Sequence, residues 1–565
     1  MEQLQRYVSF TKQCLTGKTN RISTSLYYSN QAVKGSDYFL AMTMTVRDGD
    51  NSNGNSPHRN VASVVRAVES THGESISATD AGYRLTIPSR RSPSVAQAVL
   101  LGGAVTQLGL ALLITIYLAR ILSPAAFGFF SLVSTIFILA RKFLDLGLSN
   151  VAARDIAADA KRERPILEGM MAYRRVAGIV LALSLLVFAF VQKGEMERWI
   201  LLGVGIVLLF TEPAALDPVF QVRQAQGGPV LLNVLGGVLV LGGSLWLKRL
   251  DLAGAAFAWL LVVRETLTLL FTKILAERLL GYHPRPGFRG RALKAFLGPA
   301  ITFGLASLVY TIYFHCDVFF VYGLRGREEL GAYAAAFRPI NPLLLLPWLL
   351  TVPMIPVLTA SAASDRGRFV QQVRTACALA LGIGACGLVA GMVLSPDLVE
   401  LLYHGRYLDG PLSSVAAFRW LAIALGQVCV TTVLTASLLA DRKEKLLLSI
   451  GMAALVVNAA MNLVLLRHYN FTAAGFATAA TEFLFLVSAL AGFQIAAGRS
   501  AMTWTSFGYV VPAIVMGALL YFMPGGAVLR VACGIALGVL SVMAILWSPE
   551  ARRFRQEMRS SALVF

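Results

Sequence analysis

Of the ionisable residues inside long apolar runs, ten stand out: Arg141, Lys142, Asp145, Glu212, Arg264, Glu265, Asp317, Arg338, Arg419 and Glu482. A charge at the centre of a bilayer costs about 2.5–3.5 kcal/mol on insertion scales, so each needs a function or a neutralising partner. The basic members Arg264, Arg338, Arg419, Arg141 and Lys142 are suited to binding an anion. A guanidinium stays charged when buried and forks onto phosphate oxygens. Arg264 is the deepest of them, beside Glu265 near the middle of its run. Neighbours on a helix point about 100° apart, so these two do not fully neutralise each other.

The acidic members suit a different task. Glu212, Asp145, Glu265, Asp317 and Glu482 are candidates for proton or sodium coupling, or for charge pairs. A carboxyl whose charge depends on its surroundings can bind and release a cation. The paired alternative is specific at two places. Arg141 and Asp145 are four apart on one helix face, with Lys142 three before Asp145. Asp317 near the end of one run is an expected partner for Arg338 in the next. No catalytic or metal-binding group is expected. His315 and the cysteines Cys316, Cys377, Cys386, Cys429 and Cys533, which have no CxxC spacing, read as packed residues.

The elements that position these charges are membrane spans. The chain is 56% hydrophobic and 14% charged, with mean hydropathy +0.64, against about 25% charged in soluble proteins. Its net charge of +19 comes largely from Lys and Arg that punctuate apolar runs, which fits loops near anionic lipid and not a nucleic-acid face. The organising unit is a hairpin from Val95 to Arg154, turned at Arg120-Ile121-Leu122-Ser123-Pro124 and closed by the basic segment Arg154 to Arg175. A hydrocarbon core needs about 20 apolar residues per helix. That spacing predicts fourteen spans, at 97–119, 126–148, 173–192, 199–221, 229–247, 252–274, 296–320, 331–358, 372–394, 413–439, 445–466, 472–496, 505–523 and 527–547. Pro213 and Pro218 in the fourth, and Pro339, Pro342, Pro347, Pro353 and Pro356 in the eighth, predict kinked helices beside a cavity.

Loops after even-numbered spans carry most of the Lys and Arg, so the positive-inside rule puts both termini in the cytoplasm. Residues 1–94 are rich in Ser, Thr, Asn and Gly and read as an unstructured cytoplasmic extension or an overlong start. The expected organisation follows: a first lobe at 95–275, a basic linker at 276–294, a second lobe at 295–498, an added helix pair at 499–550 and a basic tail at 551–565. Weak internal echoes support two lobes. LARILSPAAFGFF and GLRGREELGAYAA each place an Arg before a break, then a Gly and an aromatic: Gly128 with Phe130, Gly331 with Tyr333. The fold class is thus all-α, two six-helix lobes in pseudo-twofold arrangement plus two C-terminal helices. Repeat-built transporters place substrate between lobes and rock one against the other. No Walker GxxxxGK[ST] is present, and no loop on the outer side is large enough to hold an acid/base site, so an enzyme such as a glycosyltransferase or ligase is disfavoured.

The stretches LARILSPAAFGFFSLVSTIFILARKFLDLGLSNVAARDIA, IYFHCDVFFVYGLRGREELGAYAAAFRPINPLLLLPWLLTVPMIPVL, LLYHGRYLDG and VVNAAMNLVLLRHYNFTAAGFATAATEF resemble oligosaccharide flippases of the multidrug/oligosaccharidyl-lipid/polysaccharide exporter superfamily. The resemblance covers about residues 95–500. It implies a bacterial inner-membrane protein that moves a polyprenyl-pyrophosphate-linked repeat unit outward for O-antigen, exopolysaccharide or capsule synthesis. It implies membrane lipids, a polysaccharide polymerase and glycosyltransferases as partners, and no nucleic acid or cofactor beyond a coupling proton or sodium ion. Two alternatives stay open: a lipid II flippase-like protein, and a cation-coupled multidrug antiporter.

Overall fold

The computed structural model describes residues 93–562 apart from 193, 251–253, 288–289, 345–346, 348–350 and 352–353. The expected unstructured segment at 1–94 falls outside this set but for its last two residues, which open the first helix. Among the described residues there are helices and no strands. In chain order they are α1 (Pro93–Ile121), α2 (Pro124–Asp145), α3 (Leu148–Ala158), α4 (Glu163–Val191), α5 (Glu195–Leu209), α6 (Asp217–Val222), α7 (Gly227–Arg249), α8 (Trp259–Leu280) and α9 (Gly290–Arg325). The second half continues with α10 (Arg327–Ile340), α11 (Ile355–Ser364), α12 (Arg366–Tyr403), α13 (Val415–Ala440), α14 (Glu444–His468) and α15 (Thr472–Ala497). The last three are α16 (Val511–Phe522), α17 (Ala527–Leu546) and α18 (Pro549–Ala562).

The burial pattern is that of a chain in lipid. Val187, Phe190, Ile495 and Phe522 face outward at 66–84% exposure, while Arg174, Asp317 and Glu482 are buried among the helices. Charges in such a bundle turn to the interior because hydrocarbon cannot solvate them. Among the described residues, ten helices are long and apolar enough to cross a membrane, or eleven if the pair Glu195–Leu209 and Glu212–Val222 counts as one span. The count of fourteen is therefore not reached on length and composition among the described residues. The shortfall falls at the first, sixth and eighth expected spans. The described apolar part of α1 is short, Val105–Ile121; α8 carries Arg264, Glu265, Lys273, Glu277 and Arg278; and α10 meets Pro339 and passes into a 3-10 turn at Asn341–Leu344.

The expected kink in the fourth span is present and bends the chain by 41°. Pro213 and Pro218 lack the N–H that a continuous helix would donate. The chain passes through a 3-10 turn, Glu212–Leu216, and restarts with Asp217 in the first turn of α6. The return arm of the opening hairpin starts cleanly because Ser123 accepts a hydrogen bond from the Ala126 N–H and Pro124 stands in the first turn. It ends where Leu146 and Gly147 take left-handed backbone angles, φ 39° and 73°, which turns α3 away from α2. The two arms of this hairpin pack on different neighbours, α1 along α7 and α2 along α10.

α8 continues to Leu280 and α9 begins at Gly290, so the expected 276–294 connection is helical at both ends. Its middle is tied to the first half. The Gly287 N–H donates to the Glu168 carbonyl at 3.2 Å, and the Tyr282 hydroxyl donates to Glu163 Oε1 at 3.4 Å with the Arg164 guanidinium over its ring. Burial and the Glu163 carboxylate push the Tyr282 phenol above its ordinary range.

Candidate functional site

α2, α3, α4, α6, α7 and α8 line an open cavity of about 510 Å³ toward the end of the bundle that carries the Arg154–Arg175 segment. Arg141, Lys142 and Asp145 enter it from α2, Arg174 from α4, Asp217 from α6, Asn233 from α7 and Glu265 from α8. The broken helix is what lets Asp217 in, since the restart after the proline turn brings the first residue of α6 to the wall.

The charges pair across helices and not along one. Arg141 forks onto Glu265, Nε to Oε1 at 2.8 Å and Nη2 to Oε2 at 2.6 Å. Such two-point pairing is the strong, directional form of the contact. Asp145 takes Arg174 Nη2 at 3.0 Å and the Ser149 hydroxyl. The expected Arg141–Asp145 pair is therefore replaced, because each residue has a better-placed partner on another helix. Lys142 is exposed to the cavity, and Asp217 lies in the field of Arg174 and Arg141 without an ion pair among the described residues. Arg141, Lys142 and Arg174 balance Asp145, Asp217 and Glu265, three against three. An incoming anion must compete for these cations with carboxylates already in place.

Arg264 is not part of this wall. It packs over Gly236 of α7, where a Cβ would come within 3.1 Å of its Cγ and Nε, and Nε is buried without a hydrogen bond. The 100° step between adjacent residues does separate Arg264 from Glu265, but it is the carboxylate that faces the cavity. Arg264→Ala is expected to change transport less than threefold, well under the effect of Arg141→Ala, in an assay of initial rate; about 0.6 kcal/mol corresponds to that factor. Glu212 is paired as well, held by the Arg175 guanidinium through two contacts.

The remaining expected residues lie in the second half. Arg338 donates to the Ser131 hydroxyl at 3.0 Å and sits over the rings of Phe127 and Phe130, a cation–π setting. The expected Arg338–Asp317 pair is not formed. Asp317, 2% exposed, instead accepts from Tyr333 at 2.8 Å, Asn462 at 2.9 Å and Thr478 at 2.5 Å. Four helices, α9, α10, α14 and α15, thus meet on one carboxylate. Glu482, also 2% exposed, lies one helical turn from Thr478 on α15. Arg419 is exposed on α13 and donates to Ser395 at 3.0 Å. Arg174 and Asp217 were missed from sequence, one counted among loop charges and the other standing between two prolines. Asn462 and Thr478 had a visible signal, each standing four from another polar residue in an apolar run, Asn458 and Glu482 respectively.

Residues 97–360 match the polysaccharide biosynthesis protein family. The fold is similar to that of the lipid II flippase MurJ in an inward closed conformation, with TM-score 0.64 and 13% identity over 80% of this chain and 98% of that one. An inward-facing multidrug resistance MATE family transporter aligns at TM-score 0.49 and 15% identity, over 69% of this chain and 93% of that one. No significant match was found among curated proteins. Residues 97–360 thus carry a sequence similar to that of polysaccharide biosynthesis proteins, within an all-helical fold similar to that of a lipid II flippase.

Proposed function

We propose that this transporter moves a polyprenyl-pyrophosphate-linked oligosaccharide outward across a bacterial inner membrane by alternating access between two lobes. The observation that carries the reading is the cavity holding Arg141, Lys142 and Arg174 toward the basic end of the bundle, which the positive-inside rule places at the cytoplasmic leaflet. A pyrophosphate joined to a sugar on that leaflet presents the oxygens that a forked guanidinium recognises. Arg141 then exchanges Glu265 for phosphate. Because the cavity is charge-balanced, the exchange strands a carboxylate, and a cation taken up there or at Asp317 or Glu482 would link transport to a proton or sodium gradient. The prenyl tail stays in lipid throughout. Glycosyltransferases supply such a substrate and a polymerase consumes it.

The test is reconstitution of the full chain in liposomes with a radiolabelled polyprenyl-pyrophosphate oligosaccharide. Movement between leaflets is read by an impermeant glycosidase. Protein-dependent movement supports the proposal. Movement of lipid II alone, or efflux of ethidium alone under a proton gradient, replaces it with one of the other two transporter classes.

A further inference from the structure

At the end of the bundle opposite the cavity, the two halves exchange arginines. Arg120, in the last turn of α1, reaches the last turn of α12, donating from Nε to the Leu402 carbonyl at 2.7 Å and from Nη2 to the Leu401 carbonyl at 2.8 Å. Arg406, just past α12, returns the contact. Its Nη1 donates to the carbonyls of Leu122 and, at 3.5 Å, Ala119 at the end of α1. The last carbonyls of a helix have no partner within it and carry the negative end of its dipole. Each guanidinium therefore satisfies groups that the other arginine's own helix leaves open.

Between these contacts the starts of α2 and α10 touch backbone to backbone. A methyl on Gly128 would lie 2.1 Å from the Arg327 carbonyl oxygen and 2.8 Å from the Gly331 nitrogen; one on Gly331 would lie 2.0 Å from the Pro124 carbonyl oxygen. Neither position has room for a side chain. These are the two glycines that echo each other in sequence. Arg327 also pairs with Glu197 at the start of α5. Arg120 and Arg406 are both exposed, so water can take over their carbonyl partners when the ends separate.

We infer that Arg120 and Arg406 form a reciprocal latch that holds this face shut, with Gly128 and Gly331 as the surface on which it closes. The inference rests on the alternating-access part of the function proposed above. It predicts that loss of the latch raises the population open on this side without any change at the cavity.

Ser131 supplies the probe, being 3% exposed behind the contact and joined to Arg338. In the full chain with its native cysteines replaced by alanine, Ser131→Cys is labelled from outside intact cells with a membrane-impermeant maleimide. Arg120→Ala with Arg406→Ala should label about tenfold faster, as expected for losing two exposed helix-end contacts. Gly331→Leu should label fast whether or not the arginines are present, because it wedges the seam. An unchanged rate in the folded double variant, with Gly331→Leu fast, overturns the latch. If the double variant does not fold, Arg406→Gln alone gives the reading, and a rate equal to the parent's overturns it. Labelling needs no substrate, so a parent protein that fails to move the oligosaccharide removes the proposed function while this readout stands.

Discussion

Arg141→Ala is expected to lower the rate of lipid-linked oligosaccharide movement by about 10–100-fold, the factor for losing one charge-assisted contact to phosphate of about 1.5–3 kcal/mol. It should also destabilise the protein. Removing one partner of a buried ion pair costs about 3–5 kcal/mol, because the other charge is left uncompensated. Glu265 is 10% exposed but the Arg141 side chain is 49% exposed through the cavity, so screening brings the expected loss to about 2 kcal/mol. The two effects separate in a second variant. Arg141→Met with Glu265→Leu removes the pair together, which is often neutral for stability, and should restore the unfolding midpoint in detergent while transport stays low. Transport restored along with stability would show that Arg141 serves only to balance Glu265.

That pair also marks where sequence reasoning stopped. The charges inside apolar runs were legible, since each carries an insertion cost that composition alone exposes. Their partners were not. Spacing of three or four reports neighbours on one helix, and it offered Asp145 to Arg141; the fold offers Glu265, 124 residues away, with two-point geometry. Likewise Asp317 and Arg338 stand near in sequence, yet Tyr333, Asn462 and Thr478 surround the carboxylate, and Arg338 turns to α2. The echo of Gly128 in Gly331 was legible as a repeat. That the two glycines meet was not, because a repeat states likeness and says nothing about contact. Proline did foretell structure. Pro213 and Pro218 forecast the bend that carries Asp217 into the cavity, because their effect is local to the backbone.

The cavity carboxylates and Asp317 sit in contrasting surroundings. The first half holds its carboxylates against arginines in an open cavity, where a ligand can displace one partner by another. The second half holds Asp317 against neutral donors, away from solvent. Under the function proposed above, a site of the first kind would exchange anions, whereas the carboxylate of the second has no protein cation to lose.

Asp317→Ala is expected to be the most damaging single change in the second half, at about 3–5 kcal/mol. It leaves the Tyr333 hydroxyl, an Asn462 N–H and the Thr478 hydroxyl facing a void, and each buried donor left unmade costs about 1–3 kcal/mol. The sum is less than additive because Thr478 also bonds the Ala474 carbonyl and Asn462 bonds Asn458. Asp317→Asn keeps the shape and one acceptor oxygen, so it should fold with a smaller loss, about 1–2 kcal/mol. The two roles open to Asp317 then diverge. As a coupling residue, its Asn variant should move substrate at a rate that no longer responds to an imposed proton or sodium gradient, while the parent responds to one of them. As a purely structural junction of α9, α10, α14 and α15, the Asn variant should retain the parent's gradient response at a reduced yield of folded protein. Rates measured in liposomes with each gradient applied in turn decide between them, since only the coupling role ties the carboxylate's charge to the driving force.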